Sequence, residues 1–301
     1  MPSGEAGRPN LFTVVIPTLN EGALLHMTVD SIRDRTRGPD YEVVIVDDGS
    51  TDGSTERYRG GDARIRVVDG GGLGVARARN LGAARALGEW VVFLDAHCEV
   101  SETWLDRMAL ALADPQVALV GPCFTRLREA APRGCGVAWV DHALETNWYE
   151  PLDVADAYDV PLTIGACQAF RTATFHAIGR YEEGFTSWGS EDLEICLRAW
   201  LLGYRVQGDP VATVAHYFRE TRNYEVDEHV VTCNVLRMLF LHFSAPRIRR
   251  VLRAVGGVMG LDRALDAVCG SDVFQVRAAL EAVRQRDDDW YCRAFAPGLM
   301  R

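Results

Sequence analysis

Lysine is absent from this chain: all 32 basic residues are arginine. That bias is the one expected of a GC-rich, bacterial type of genome, and it says more about ancestry than about chemistry. Positive charge is also scarce in sum. The 42 acidic residues leave a net charge of −10, which excludes the broad basic footprint of a nucleic-acid binder. No apolar run reaches the ~18–20 residues that a membrane-spanning helix needs, and no basic-then-apolar leader precedes the first apolar segment. The expectation is a protein without a membrane span that stays in the cytoplasm where it is made. Clustered cysteines are missing too. Cys98, Cys123, Cys135, Cys167, Cys196, Cys233, Cys269 and Cys292 are scattered, mostly inside apolar segments, with no Cys-x-x-Cys pair. They are expected as buried free thiols rather than as a disulfide framework or a zinc site.

What is present is ample core material. With 301 residues, 48% of them hydrophobic, the chain can bury one large domain, or one domain and an appendage. Short apolar runs at 11–17, 41–46, 64–68, 90–95 and 117–120 alternate with helical stretches. That alternation predicts βαβ units and a largely parallel sheet. Residues 125–160 loosen into a connection carrying Trp139, Asp141, Trp148 and Tyr149, aromatics that either line a binding surface or pack. A strand-like run resumes at 164–170, a helix at 188–202 and a last strand at 210–216. Helix then runs to about 243, and 247–286 offers two or three amphipathic helices without a chemical signature. Asp287, Asp288 and Asp289 are adjacent carboxylates that would point in different directions, so a solvated face is expected there rather than a metal site.

Acidic or glycine-rich residues recur where the strands end, at 47–48, 70–74 and 95–97, and in open α/β sheets ligands bind beyond the carboxyl ends of the strands. Trp90 to Asp95 is an apolar run that stops at Asp95-Ala96-His97. Residues i and i+2 of an extended chain point to the same side. Asp95 and His97 thus offer a carboxylate oxygen and an imidazole nitrogen that an ion such as Mn²⁺ accepts. The alternative is a strand ending in a polar turn, with His97 hydrogen-bonded locally.

The chain resembles the GT-A glycosyltransferases, specifically family 2 enzymes and the related polypeptide N-acetylgalactosaminyltransferases. The matching stretches are Val14-Val-Ile-Pro-Thr-Leu-Asn-Glu, Val46-Asp-Asp-Gly-Ser-Thr-Asp, Arg77-Ala-Arg-Asn, Phe93-Leu-Asp-Ala-His-Cys-Glu, Gly165-Ala-Cys-Gln-Ala-Phe, Trp188-Gly-Ser-Glu-Asp-Leu-Glu and His216-Tyr-Phe-Arg. The resemblance implies an α/β GT-A fold, a mostly parallel central sheet flanked by helices, with a C-terminal helical extension. It divides the chain into a flexible tail (1–10), a GT-A domain (11–245) and the helical extension (246–301). The domain has a nucleotide-binding half (11–125) and an acceptor half (126–245).

The resemblance also implies a site and an activity: transfer of a sugar from a nucleotide donor, UDP-linked as is usual in such families, to an acceptor hydroxyl on a glycan, peptide or natural product. Asp95, His97 and His216 would hold the divalent metal, Mn²⁺ or else Mg²⁺. Asp47 would accept a hydrogen bond from the base, with Pro17, Thr18 and Glu21 at the nucleoside. Arg77, Arg79, Ala96 and Trp188 would face the donor sugar or phosphates. Arg219 would clamp the diphosphate, and Tyr224 lies on a loop expected to close over the donor. Read without the resemblance, Arg77 and Arg79 are solvated helix charges and His216 a satisfied edge histidine.

Glu191 and Asp192 fall where such enzymes keep acceptor-side carboxylates. Asp192 matches the general base of inverting family 2 members. The polypeptide N-acetylgalactosaminyltransferases retain configuration and commonly carry Asn there, so Asp192 favours inversion. Glycines at 70–72, where those enzymes place a donor-facing Arg, are a second departure. Two rivals carry different chemistry. A sugar-1-phosphate nucleotidyltransferase would need a basic glycine-rich loop after the first strand, which Thr18-Leu-Asn-Glu-Gly does not supply. A catalytically silent nucleotide- or glycan-binding module would show the loss of a ligand or of the Glu-Asp pair.

Overall fold

The structure is a computed structural model that describes residues 8–129, 131–219 and 226–300. The first half follows the expected alternation: β1 (Arg8–Thr18), α1 (Ala23–Arg35), β2 (Asp40–Asp47), β3 (Ile65–Asp69), α2 (Val75–Ala83), β4 (Gly88–Leu94), β5 (Cys98–Val100), α3 (Trp104–Leu112) and β6 (Val117–Arg126). β1 begins at Arg8 because the Arg8 N–H donates to the Leu87 carbonyl at 2.7 Å, extending its pairing with β4.

Short strands β7 (Pro132–Gly134), β8 (Val137–Trp139), β9 (Thr146–Trp148) and β10 (Tyr158–Asp159) cross the loosely patterned region. β11 (Cys167–Arg171), α4 (Thr172–Ala177), α5 (Glu191–Leu201) and β12 (Arg205–His216) complete the sheet layer. The main sheet runs β10-β12-β6-β11-β4-β1-β2-β3. β1 to β4 are parallel, as are β6 and β12, while β11 runs antiparallel between β4 and β6.

Helices cover both faces, so the central strands read as continuous apolar runs rather than alternating ones. On one face Phe12, Val14 and Ile16 of β1 meet Leu25, Val29 and Ile32 of α1 and Trp104 of α3. On the other, Val15 and Phe93 pack with Ala76 and Ala78 of α2 and with Phe170, Phe175 and Tyr181. Trp139 packs in this second core against Phe243 and Tyr291, whereas Trp148 is half-buried beside Phe218.

The C-terminal part adds α6 (Glu228–His242), α7 (Ala245–Ala254), α8 (Leu261–Cys269), α9 (Val273–Glu281) and α10 (Asp288–Phe295). Arginines fasten these helices to one another and to the sheet layer by capping carbonyls left open at chain turns. Arg277 donates to Phe240 and Phe243 oxygens, Arg284 to Leu241 and His242, and Arg286 to Trp200 and Tyr204.

Two expectations need correction. Cys123 and Cys135 form a disulfide, because β7 folds back antiparallel on β6 with Gly134 opposite Phe124 and so brings the two residues face to face. The other six cysteines are free, and of these Cys269 is exposed and Cys233 half-buried. The aspartates at 287–289 are only in part the solvated face expected: Asp287 and Asp289 are exposed, but Asp288 is not. Asp288 is buried against Arg247 and accepts from the Ser244 N–H at 2.8 Å, Asp289 pairs with Arg247 at 2.9 Å, and Asp287 caps α10. Among the described residues no helix is long and apolar enough to cross a membrane.

Candidate active site

β4 ends at Leu94, and the chain turns through Asp95-Ala96-His97 before β5. β5 pairs antiparallel with the end of β12, setting His216 opposite Cys98. That register brings together residues 95, 97 and 216, and the Tyr217 N–H donates to the His97 carbonyl at 3.0 Å to hold the junction. The His97 and His216 rings lie 4.7 Å apart between centroids, and His216 Nε2 is 3.5 Å from Asp95 Oδ2. One ligand atom from each of the three side chains falls within 4.8 Å of the others.

This donor set fits a divalent cation. A carboxylate oxygen with two imidazole nitrogens suits Mn²⁺ or a similar borderline ion. Nδ1 of both histidines is buried without a hydrogen bond, although His97 Nδ1 lies 3.3 Å from Glu21 Oε2. Burial lowers the His216 pKa and keeps the ring in its neutral, ligating form. Burial would raise Asp95, but the hydrogen bond with His216 and the charge of Arg79 outweigh it and hold the carboxyl ionised.

Across the cleft, α5 opens with Glu191 and Asp192 in its first turn. Asp192 is half-buried; its Oδ2 accepts from the Gly165 N–H at 2.7 Å and its Oδ1 from the Leu193 N–H at 2.9 Å. Glu191 is buried, with Oε1 taking Arg79 at 2.8 Å and Oε2 the Gly189 N–H at 3.1 Å. Burial is the chief cause that raises the pKa of both carboxyls, and the charge of Asp192 adds to it at Glu191.

The floor between them is a glycine loop. Asp48 accepts from the N–H groups of Gly72, Leu73 and Gly74 at 3.0, 2.6 and 2.8 Å. Gly74 (φ 80°) lies so close to Ser187 that a Cβ there would sit 2.8 Å from the Ser187 nitrogen. The loop before α5 is stitched on at that point by the Val75 N–H to Ser187 oxygen bond, 3.0 Å.

Pro17, Thr18, Glu21, Arg77, Arg79, Asp95, Ala96, His97, Trp188, Glu191, Asp192, His216 and Arg219 line one cleft of about 920 Å³. The Thr18 hydroxyl there is buried without a hydrogen bond. Glu21 and Arg219 form an ion pair at its edge. Arg77 is turned to the Glu183 carbonyl at 3.0 Å. Asp47 is placed apart from this lining: Oδ1 accepts from the Ser50 N–H at 2.8 Å and Oδ2 from the Thr55 hydroxyl at 2.6 Å. Tyr224 lies outside the described residues. A second hollow of about 660 Å³, near Gly179, Gly203 and Arg286, shares none of these residues and gathers no carboxylate or histidine.

No individual role was expected for Asp48, Gly165 or Phe218, all of which line the cleft. The glycine triplet followed by a helix was the available signal for Asp48, since three free N–H groups in a turn require an acceptor.

A sheet with this order and a carboxylate-histidine cluster beyond its strand ends defines a GT-A glycosyltransferase domain. Residues 13–179 match the family model for glycosyl transferase family 2, and residues 154–222 match that for the N-terminal domain of galactosyltransferase. The chain belongs to glycosyltransferase family 2. It is 30% identical over 238 residues to polypeptide N-acetylgalactosaminyltransferase 11 of Xenopus tropicalis, covering 70% of this chain and 39% of the relative. It is 31% identical over 163 residues to the probable N-acetylgalactosaminyltransferase 8 of Caenorhabditis elegans, covering 50% and 39%. The chain thus spans about two fifths of these relatives. Its fold superposes on GalNAc-T7, solved with UDP, GalNAc and Mn²⁺, with a TM-score of 0.77 at 21% identity, over 94% of this chain and 56% of the other.

Proposed function

We propose that the protein is a metal-dependent glycosyltransferase that moves a sugar from a UDP-linked donor to an acceptor hydroxyl. One observation carries the reading: the Asp95, His97 and His216 cluster and the Asp192 carboxylate line the same cleft of a family 2 chain. The solved neighbour bound to UDP, GalNAc and Mn²⁺ supports the donor class. Asp95, His97 and His216 would hold Mn²⁺, which when bound neutralises charge gathering on the departing diphosphate. Pro17, Thr18 and Asp48 shape the nucleoside end, Arg219 attends the diphosphate, and Trp188 walls the sugar. The acceptor lies over the 126–245 half. It is a hydroxyl of a glycan, a peptide or a natural product.

Asp192 serves as the general base. Both carboxylates line the cleft with both oxygens engaged, but Glu191 is buried and ion-paired with Arg79, whereas Asp192 is half-buried and held only by two neutral backbone N–H groups. The acceptor O–H proton passes to Asp192 as the new bond to the anomeric carbon forms and the bond to the nucleoside diphosphate breaks from the opposite face. Inversion follows. A second reading, retention, is favoured by the likeness to a polypeptide N-acetylgalactosaminyltransferase, the group whose resemblance implies it. The Cys123–Cys135 bridge favours an oxidising compartment over the expected cytoplasm.

Asp192→Asn tests the base. Turnover with a UDP-sugar should fall by about 10²–10⁴-fold while UDP binding with Mn²⁺ persists, and product NMR should show the inverted anomer. The wild-type rate should fall on acidification with a midpoint above 3.8, the ordinary aspartate value, because the base must be ionised. A retained anomer, with Asp192→Asn fully active, would replace this reading by the second.

A further inference from the structure

We propose that Arg79 is a positioning residue that sets which oxygen of Asp95 faces the metal, and that it does not contact the donor. The inference rests on the metal-dependent reading above. Arg79 projects from α2, yet its side chain is only 3% exposed. One guanidinium nitrogen donates to Glu191 Oε1 at 2.8 Å, and the other donates to Asp95 Oδ1 at 3.2 Å and to the Gly165 carbonyl at 2.8 Å. The Tyr181 ring lies 5.2 Å from its carbon. The planar fork therefore spans β4, the turn before β11 and the start of α5.

Two consequences follow from that geometry. With Oδ1 held by Arg79, Oδ2 is the oxygen presented to His216, so Asp95 offers one oxygen rather than two. Swinging the guanidinium toward a phosphate would leave Glu191, 4% exposed, buried beside Asp192 without its cation, an arrangement that low-dielectric surroundings disfavour. Gly165 records the same constraint. A Cβ there would sit 2.8 Å from an Arg79 nitrogen and 3.0 Å from Asp192 Cβ. The glycine leaves room for the arginine, although its own backbone needs no left-handed conformation.

The test is Mn²⁺ titration of the full chain without nucleotide, read from the free-ion signal in electron paramagnetic resonance, followed by UDP titration at saturating Mn²⁺. Arg79→Met should weaken Mn²⁺ binding about tenfold or more, the usual effect of removing a partner of a ligand. Arg79→Lys should recover part of it, because lysine restores the charge without the fork. Gly165→Ala should weaken Mn²⁺ binding with Arg79 still present, and it carries the test if Arg79→Met does not fold. UDP affinity at saturating Mn²⁺ should stay within about twofold in all three. Unchanged Mn²⁺ affinity with weakened UDP binding would overturn the proposal and make Arg79 a donor contact. Failure of the wild type to bind Mn²⁺ would instead overturn the function on which the proposal rests.

Discussion

Two clusters in this molecule use the same three side-chain types and end as opposites. Asp95, His216 and Arg79 stand at the cleft, and Glu194 and Arg198 of α5 meet His242 of α6 in the core behind it. In the second cluster Glu194 is 0% exposed and fully paired: Oε1 takes Arg198 at 2.9 Å and His242 at 2.7 Å, and Oε2 takes Arg198 at 2.6 Å. In the first, Asp95 keeps 25% of its side chain exposed, and its Oδ2 lies 3.5 Å from His216 Nε2, with the His97 ring 4.7 Å from that of His216. Composition does not separate the two. What separates them is whether the carboxylate's lone pairs are all occupied, and whether a second imidazole and open space stand beside it.

Substitutions can sharpen or break that contrast. The largest effect should come from Arg198→Met, which leaves Glu194 buried with His242 alone. Loss of one partner of a buried ion pair costs about 3–5 kcal/mol, measured by urea unfolding, with Mn²⁺ affinity of the folded protein unchanged. His216→Ala should do the reverse, with less than about 1 kcal/mol in stability and nearly the whole loss in Mn²⁺ binding. Equal stability losses at both places would remove the distinction.

The smallest effect is a pH dependence. Burial outweighs the attraction of Glu194 and lowers the His242 pKa below 6.5. The unfolded chain therefore takes up that proton first, and stability declines as pH falls below 6.5. Burial would raise Glu194, but Arg198 and His242 outweigh it and bring it to about 2 from 4.5. Its contribution is present above 4.5 and is lost as pH falls through about 2. Glu191 and Asp192, raised by burial, act with the opposite sign over the same range, so the His242 effect is read as a difference: in urea melts the stability of the wild type relative to His242→Gln should fall as pH drops below 6.5. A rise of the wild type relative to His242→Gln on mild acidification would contradict the sign.

Much of this was legible in the chain before any fold was known, because chemistry-bearing residues stand where apolar runs stop. The strands at 11–17, 41–46 and 90–95 were readable from their continuous apolar faces, and Asp95-Ala96-His97 from its position at a strand end. His216 is different. It lies 119 residues after His97, and only the pairing of β12 with β5 makes them neighbours. The resemblance, not the spacing, pointed to it. Asp47 and Asp48 show where periodicity runs out: past the last paired residue the chain turns, so a motif cannot say which of two adjacent carboxylates faces the cleft. The Cys123–Cys135 bridge was hidden for a related reason, since it depends on β7 doubling back on β6. Arg79 and Arg77 are two residues apart on one helix, yet one is buried and the other exposed. Only the contacts of α2 with the rest of the fold distinguish them.

The most direct test of the account is calorimetry of the purified protein with UDP, run with Mn²⁺ and again with EDTA, on the wild type, His97→Ala and His216→Ala. Binding of UDP that requires Mn²⁺ in the wild type and is lost in both variants, with their melting curves preserved, is the expected result. UDP binding unchanged by EDTA and by both substitutions, or no binding with metal present, would contradict it and leave the cleft a silent relic of the fold.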